Sequence, residues 1–230
     1  MTVRAIIVAA GRGVRMGADR PKAFLRLGGL TLLERSIGAF LPHPRVNRVV
    51  AAVPDPDETV RLLGASVDRV LLVRGGETRQ DSVRAALLAL APQDDEIVLV
   101  HDAARPLVSR RIIDDVIDAT EKRGAAIPAI PPVDTLKERF EDGAIGPTLP
   151  RDRTLLAQTP QGFKGAVLRE SYARAEREGV VATDDSALVE RLGFRVWPVE
   201  GSQYNIKITT PLDMRLAEAI LRELEQGGSE

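Results

Sequence analysis

Apolar and polar positions along this chain follow two periods. Short β-branched runs at Val3–Ala9, Arg48–Val53, Arg69–Val73, Glu96–Val100, Ala125–Ile130 and Phe194–Pro198 read as strands. Helical periodicity occupies Leu32–Leu41, Glu58–Leu63, Asp81–Leu90, Ile112–Lys122, Ala166–Glu178 and Pro211–Leu224. In Ile112–Lys122 the residues Ile112, Ile113, Val116 and Ile117 share one face of the helix. Strands that alternate with helices predict an α/β fold: a Rossmann-like, mostly parallel sheet with flanking helices. One stretch breaks the rhythm. From Val133 to Phe163 the sequence carries two short strand-like pieces around Glu141-Asp142-Gly143 and Gly146-Pro147, with no helix. A β-arm at about 133–163 that projects from the sheet fits this better than a long structureless loop. Arms of this kind often bury themselves against a second subunit, so a homodimer is expected.

Composition narrows the class. The 230 residues suit one large α/β domain spanning 1–230, and 44% hydrophobic content is enough for a sizeable core. The net charge of −1, with both signs interspersed, gives no field that points to nucleic acid or a membrane surface. There is no cysteine, which removes disulfides, thiolate–zinc sites and a cysteine nucleophile. With only His43 and His101, a multi-histidine metal centre is also excluded. Met1-Thr2-Val3-Arg4 runs into a strand instead of a signal peptide, and no apolar run approaches ~18 residues, so the expected location is cytoplasmic. Arginine dominates the basic residues. The five lysines, at 22, 122, 137, 164 and 207, each invite the question of whether a compact ammonium is needed there.

Four segments carry candidate chemistry. After the first strand comes Ala9-Ala10-Gly11-Arg12-Gly13-Val14-Arg15-Met16-Gly17, then Arg20-Pro21-Lys22. It fails the dinucleotide fingerprint, because Met16 stands where the third glycine belongs, and it fails the P-loop pattern. A glycine turn studded with Arg12, Arg15, Arg20 and Lys22 suits a triphosphate, since glycine lets backbone N–H groups approach anionic oxygens; a tight surface turn with solvated charges is the plainer alternative. Next is Arg74-Gly75-Gly76-Glu77-Thr78-Arg79-Gln80-Asp81-Ser82, which reads first as a strand–loop–helix connection with Thr78 or Asp81 as N-cap. Third is His101-Asp102-Ala103-Ala104-Arg105-Pro106. A carboxylate at the end of a strand can hold Mg²⁺ that takes its other ligands from phosphates and water. Arg105 could meet a phosphate, His101 reads as a structural hydrogen-bonding residue before an acid or base, and Ser109 is the next helix cap. Last is Asn205-Ile206-Lys207-Ile208-Thr209-Thr210-Pro211. Thr210 is an N-cap with Pro211 at N1 and Asp213 in the first turn. Lys207, flanked by isoleucines at the edge of a buried strand, is then a candidate phosphate ligand. Thr183-Asp184-Asp185 reads as another N-cap with an acidic first turn.

Taken together, A-A-G-R-G-V-R-M with P-K after it, G-G-E-T-R-Q-D-S-V, V-H-D-A-A-R-P, D-T-L-K, T-P-Q, T-D-D and N-I-K-I-T resemble, in that order, the cytidylyltransferases that act on 2-C-methyl-D-erythritol 4-phosphate. The resemblance runs from Val3 to about Leu216. It implies transfer of a cytidylyl group from CTP to that acceptor with release of pyrophosphate, a step of non-mevalonate isoprenoid synthesis, with Mg²⁺ and a homodimer joined by the arm. It also implies roles. Arg15 and Lys22 would stabilise the transition state at the α-phosphorus, and Arg151 and Lys207 would position the acceptor, Arg151 reaching in from the partner's arm. Arg105, Thr135 and Thr159 would help hold the acceptor. Ala9, Ala10, Gly11, Gly13, Gly76, Glu77, Ser82 and Ala103 would surround the cytosine nucleotide, and Asp102 the metal and ribose. Glu77 stands where the family commonly has aspartate, and Arg153 competes with Arg151 as the arm ligand. Two rivals remain: a related enzyme acting on another polyol phosphate such as ribitol 5-phosphate, and a nucleotide-binding module without catalysis.

Overall fold

The computed structural model describes residues 1–11 and 21–227. Twelve strands are present among them: β1 (Val3–Val8), β2 (Arg26–Leu27), β3 (Leu30–Thr31), β4 (Val46–Val53), β5 (Val70–Arg74), β6 (Ile97–Asp102), β7 (Ala125–Ile130), β8 (Lys137–Arg139), β9 (Ile145–Thr148), β10 (Leu156–Ala157), β11 (Gln161–Lys164) and β12 (Trp197–Glu200). The α-helices are α1 (Leu32–Phe40), α2 (Pro56–Leu63), α3 (Arg79–Leu90), α4 (Arg110–Arg123), α5 (Gly165–Glu178), α6 (Asp185–Arg191) and α7 (Pro211–Glu225). The helix starts follow from their caps. Thr31, Thr78 and Thr210 each form a capping box with the residue three positions on, and Asp55, Ser109 and Asp184 cap through one side-chain oxygen.

The main sheet has eight strands in the order β10-β7-β11-β6-β1-β4-β5, with β12 also paired to β7. β1 lies between β4 and β6, parallel to both, and β4 is parallel to β5. Only β10 and β11 run against the rest. Because side chains alternate along a strand, β1 feeds both layers. Val3, Ala5 and Ile7 pack toward α1 and α4 with Ile37, Phe40, Ile113 and Val116. Ile6 packs the other way with Val83 and Leu87 of α3, Leu168 of α5 and Val189 of α6. α7 closes a third cluster, with Leu221 and Ala217 against Leu27 and Ile208.

Three expectations change. The arm is shorter than 133–163. Its hairpin is the separate β8–β9 ribbon, and residues 156–157 and 161–164 join the main sheet. β11 even separates β6 from β7, with Phe163 and Gly162 against β7 on one side and Val98 and Leu99 on the other. Gly162 is required there, because a Cβ would lie 2.4 Å from Thr120 Oγ1 and 2.7 Å from Val116 Cγ1. The last strand also lies further along than Phe194–Pro198, at Trp197–Glu200. Finally, Asn205–Thr209 is no strand edge. It is an irregular segment tied to the loop after β6 by Ile208 N–H to the Ala104 carbonyl at 2.8 Å.

Candidate functional site

In open α/β sheets ligands bind beyond the carboxyl ends of strands where the order of connections reverses. Here that point is β1/β6. The chain leaves β1 through α1 toward β4, and returns from β5 through α3 to β6 on the other side of β1. The loops after these strands are fixed side by side. Ala9 N–H bonds the Ala52 carbonyl, Gly75 N–H that of Val53 and Ala103 N–H that of Val8, at 2.8 to 3.0 Å. Above them opens a cavity of about 710 Å³. Its wall includes Ala9, Ala10, Gly11, Lys22, Gly76, Glu77, Ser82, Asp102, Ala103 and Lys207, so most of the candidate nucleotide residues meet around one space.

The wall beside Ser82 is built on close contact. A Cβ on Gly75 would lie 2.2 Å from the Ala10 Cβ and 2.9 Å from Ser82 Oγ, and one on Gly76 would lie 2.3 Å from the Asp81 Cβ. Gly75 lets the loops after β1 and β5 touch, and Gly76 lets the second of them fold onto the first turn of α3. Buried Ser82 holds this turn, donating from its hydroxyl to the Thr78 carbonyl at 2.9 Å and accepting from Gly76 N–H at 3.2 Å. The structure therefore gives Ser82 a scaffolding part.

Asp102 ends β6 and collects cations. Lys207 Nζ lies 2.6 Å from Oδ2, and Arg79 Nε lies 2.9 Å from Oδ1. Burial pushes this carboxyl up, but Arg79 and then Lys207 outweigh it and hold it well below the usual carboxylate range. Arg79, which the sequence did not single out, continues to fully buried Asp185 at 2.7 Å. Lys22, on the single turn 22–24, donates to the Ile208 carbonyl at 2.8 Å and so faces the same space as Lys207. A lone carboxylate with two cations on it is no cage for a free metal ion, and among the described residues no group of three His, Asp or Glu is placed to hold one. It does fit an Mg²⁺ that arrives on nucleotide phosphates, since each oxygen retains a lone pair and Mg²⁺ needs one or two carboxylates.

Other candidates lie elsewhere. His101 is fully buried, with Nε2 at 3.1 Å from the Arg105 carbonyl and Nδ1 at 3.0 Å from Thr159 Oγ1, and burial lowers its pKa to about 4. Thr159 Oγ1 also accepts from the Asp102 N–H at 3.1 Å, so it fixes the backbone of Asp102 from behind the cavity. Arg105 is turned away to the Asn205 carbonyl at 2.6 Å and the Ala157 carbonyl at 3.4 Å, which leaves it stitching three segments together. Thr135 and Arg151 are exposed along the arm and do not line the cavity. Gly13 and Arg15 lie outside the described residues. Among the described residues no helix is long and apolar enough to cross a membrane.

The profile of the family described as 2-C-methyl-D-erythritol 4-phosphate cytidylyltransferase (IspD) matches residues 3–223. The protein of that name from Syntrophus aciditrophicus (strain SB) is 41% identical over 230 residues, covering 97% of each chain. The crystal structure of the Thermus thermophilus protein of that name superposes with a TM-score of 0.79 at 43% identity, over 96% of this chain and 100% of that one. That of the Francisella tularensis protein superposes at 0.84 with 32% identity, over 96% of this chain and 100% of that one. Sequence and fold agree over nearly the whole length, and the chain belongs to the 2-C-methyl-D-erythritol 4-phosphate cytidylyltransferase family of nucleotidyltransferases.

Proposed function

We propose that this protein transfers the cytidylyl group of CTP to 2-C-methyl-D-erythritol 4-phosphate, giving 4-diphosphocytidyl-2-C-methyl-D-erythritol and pyrophosphate, in the cytoplasm. The observation that carries the reading is the meeting of Lys22, Lys207, Arg79 and Asp102 with the glycine turns at one cavity. A phosphate monoester has its second pKa near ~6, so its oxygen is already an anion at neutral pH. That oxygen attacks the α-phosphorus, the bond to the bridging oxygen breaks, and pyrophosphate leaves with the electron pair. No general base is needed, which agrees with a buried His101 engaged at both nitrogens. The barrier lies in bringing two anions together and in the charge that builds on the phosphoryl oxygens. Cations fixed in advance lower it, and loss of one such donor costs about 2.7–4 kcal/mol. In this reading Lys22 and Arg15 stabilise the transferring phosphoryl group, Lys207 meets the acceptor phosphate, and Asp102 would hold Mg²⁺. When bound, that ion would supply positive charge that offsets the charge of the phosphates.

The acceptor side of the cavity is completed by a second copy of the chain in this reading. Thr135 and Arg151 sit away from the cavity, on an arm that exposes Val133, Phe140, Ile145 and Leu155. Apolar side chains grouped on a projecting ribbon support burial against a partner. The test is pyrophosphate release from CTP with a panel of acceptors. Activity is expected with 2-C-methyl-D-erythritol 4-phosphate and a divalent cation; a clear preference for ribitol 5-phosphate, or no turnover with any acceptor, would sink the assignment.

A further inference from the structure

Arg79 stands where helix electrostatics oppose a cation. It is the first residue of α3, at the positive end of the helix dipole. Its guanidinium is committed to two carboxylates on different elements, Asp102 Oδ1 at 2.9 Å and Asp185 Oδ2 at 2.7 Å. Asp185, in the first turn of α6, also accepts from the Tyr172 hydroxyl at 2.5 Å. Burial and then Asp185 push the Tyr172 phenol well above its ordinary range, so it stays a donor. An unbroken chain therefore runs Tyr172, Asp185, Arg79, Asp102, Lys207. Its inner end is closed and its outer end open: side-chain exposure is 0% at Asp185, 24% at Arg79 and 41% at Lys207. Stability alone does not account for such a chain, because a buried ion pair is often no better than an apolar replacement of the same volume. A planar fork bound at both ends does fix orientation, which an apolar side chain cannot do.

We propose that Arg79, anchored by Asp185 and Tyr172, is a positioning residue that holds the Asp102 carboxylate in place while Lys207 exchanges between Asp102 and the phosphate of the substrate. The proposal rests on the transfer reaction given above. Lys207 is the partner that can leave, being the more exposed and on a flexible stem. Arg79 is locked and stays. Its charge keeps Asp102 from being stranded as a buried, unpaired carboxylate when Lys207 departs. Without it, Lys207 would be the principal counter-charge of Asp102 and would be held back from the substrate.

A double-mutant cycle tests this. Arg79→Lys and Asp185→Asn are made alone and on an Asp102→Asn background, with kcat and KM measured by pyrophosphate release, CTP affinity by calorimetry and folding by thermal melting. A lysine reaches only one of the two carboxylates, so each single change should lower kcat about tenfold while CTP affinity moves less than about threefold. On the Asp102→Asn background the same changes should alter kcat by no more than about twofold. Equal losses on both backgrounds overturn the proposal, as does wild-type turnover in Arg79→Lys. Collapse of CTP affinity at unchanged kcat overturns it too, by making Arg79 a nucleotide ligand. If Asp185→Asn fails to fold, Tyr172→Phe loosens the same anchor and should show a smaller loss with the same dependence on Asp102. An inactive wild type refutes the parent reaction; an active wild type with additive losses refutes only the role of Arg79.

Discussion

Acidification should destabilise this protein through His101 in a window fixed by its surroundings. In the neutral ring Nε2 carries the proton, because it faces the Arg105 carbonyl at 3.1 Å. Nδ1 then accepts from the Thr159 hydroxyl, whose oxygen accepts in turn from the Asp102 N–H. Every group is satisfied only with the neutral imidazole. A second ring proton, at Nδ1, would make the buried Thr159 oxygen a double acceptor and take away the acceptor of its own hydroxyl proton. Burial lowers the folded pKa from 6.5 to about 4. The sign follows: between about pH 6.5 and pH 4 the unfolded state binds a proton that the folded state refuses, so stability rises with pH there and is lost as pH falls. At about 1.4 kcal/mol per decade of proton affinity, the full displacement is worth about 3 kcal/mol. The assay compares wild type with His101→Phe, a change that leaves the ring near Phe40 but removes the titration. The variant should be about 1–3 kcal/mol less stable at neutral pH, since Thr159 and the Arg105 carbonyl lose partners. Its stability should then fall less than that of wild type on going to pH 4, by about 3 kcal/mol at most. His43 and the carboxylates are common to both and cancel. With only two histidines the ring protons are readily assigned by proton NMR. A folded-state titration of His101 near 6.5, or parallel stability curves for the two proteins, would refute the reasoning.

Two further outcomes are expected. Gly75→Ala places a methyl 2.2 Å from the Ala10 Cβ and 2.9 Å from Ser82 Oγ, so the loops after β1 and β5 must separate; CTP affinity measured by calorimetry should drop about tenfold, with a stability loss of about 1–3 kcal/mol in denaturant. Co-refolding inactive Lys22→Ala with inactive Arg151→Ala should restore roughly a quarter of wild-type activity, because a mixed dimer with shared sites holds one site with neither change. Recovery with Arg153→Ala but not Arg151→Ala would move the arm contact two residues, and no recovery in verified mixed dimers would remove the arm from the site.

What the sequence disclosed is what local physics writes into it. β1, β4, β6 and β7 carry apolar residues buried on both faces, and β5 packs half-buried ones on both, so each carries its own signal. Thr78, Ser109 and Thr210 are legible because a cap acts on N–H groups two or three residues away. β11 had no such signal. Gln161-Gly162-Phe163-Lys164 has a single large apolar residue, and it is a strand because the groove between β6 and β7 supplies hydrogen-bonding partners on both edges. A polar segment between turn residues reads as part of the arm, because nothing within it points to that groove. α6 was half legible, its cap visible at Asp184 and its body too short to show a period.

The site divides along the same line. The glycine turns and Asp102 announce themselves by lying at the ends of strands, and the arginine bias singled out Lys207, which the fold brings to Asp102 across 105 positions of sequence (207 minus 102). Arg105 looked identical in kind, a cation three residues beyond the same carboxylate, yet its guanidinium is taken by the Asn205 and Ala157 carbonyls. Arg79 carries no signal in the sequence, because its neighbours make it an ordinary first-turn residue, while its partners at 102 and 185 exist only once β6 and α6 have converged. A cation's role is set by which acceptors the fold leaves within reach of it, and those acceptors are distant in the chain. The same reasoning bears on the arm. Thr135 and Arg151 have exposed side chains where a single chain offers them no part of the cavity. In the proposed shared-site reading they meet the acceptor phosphate in a cavity of the other subunit, and activity should then fall on dilution toward the dimer dissociation constant.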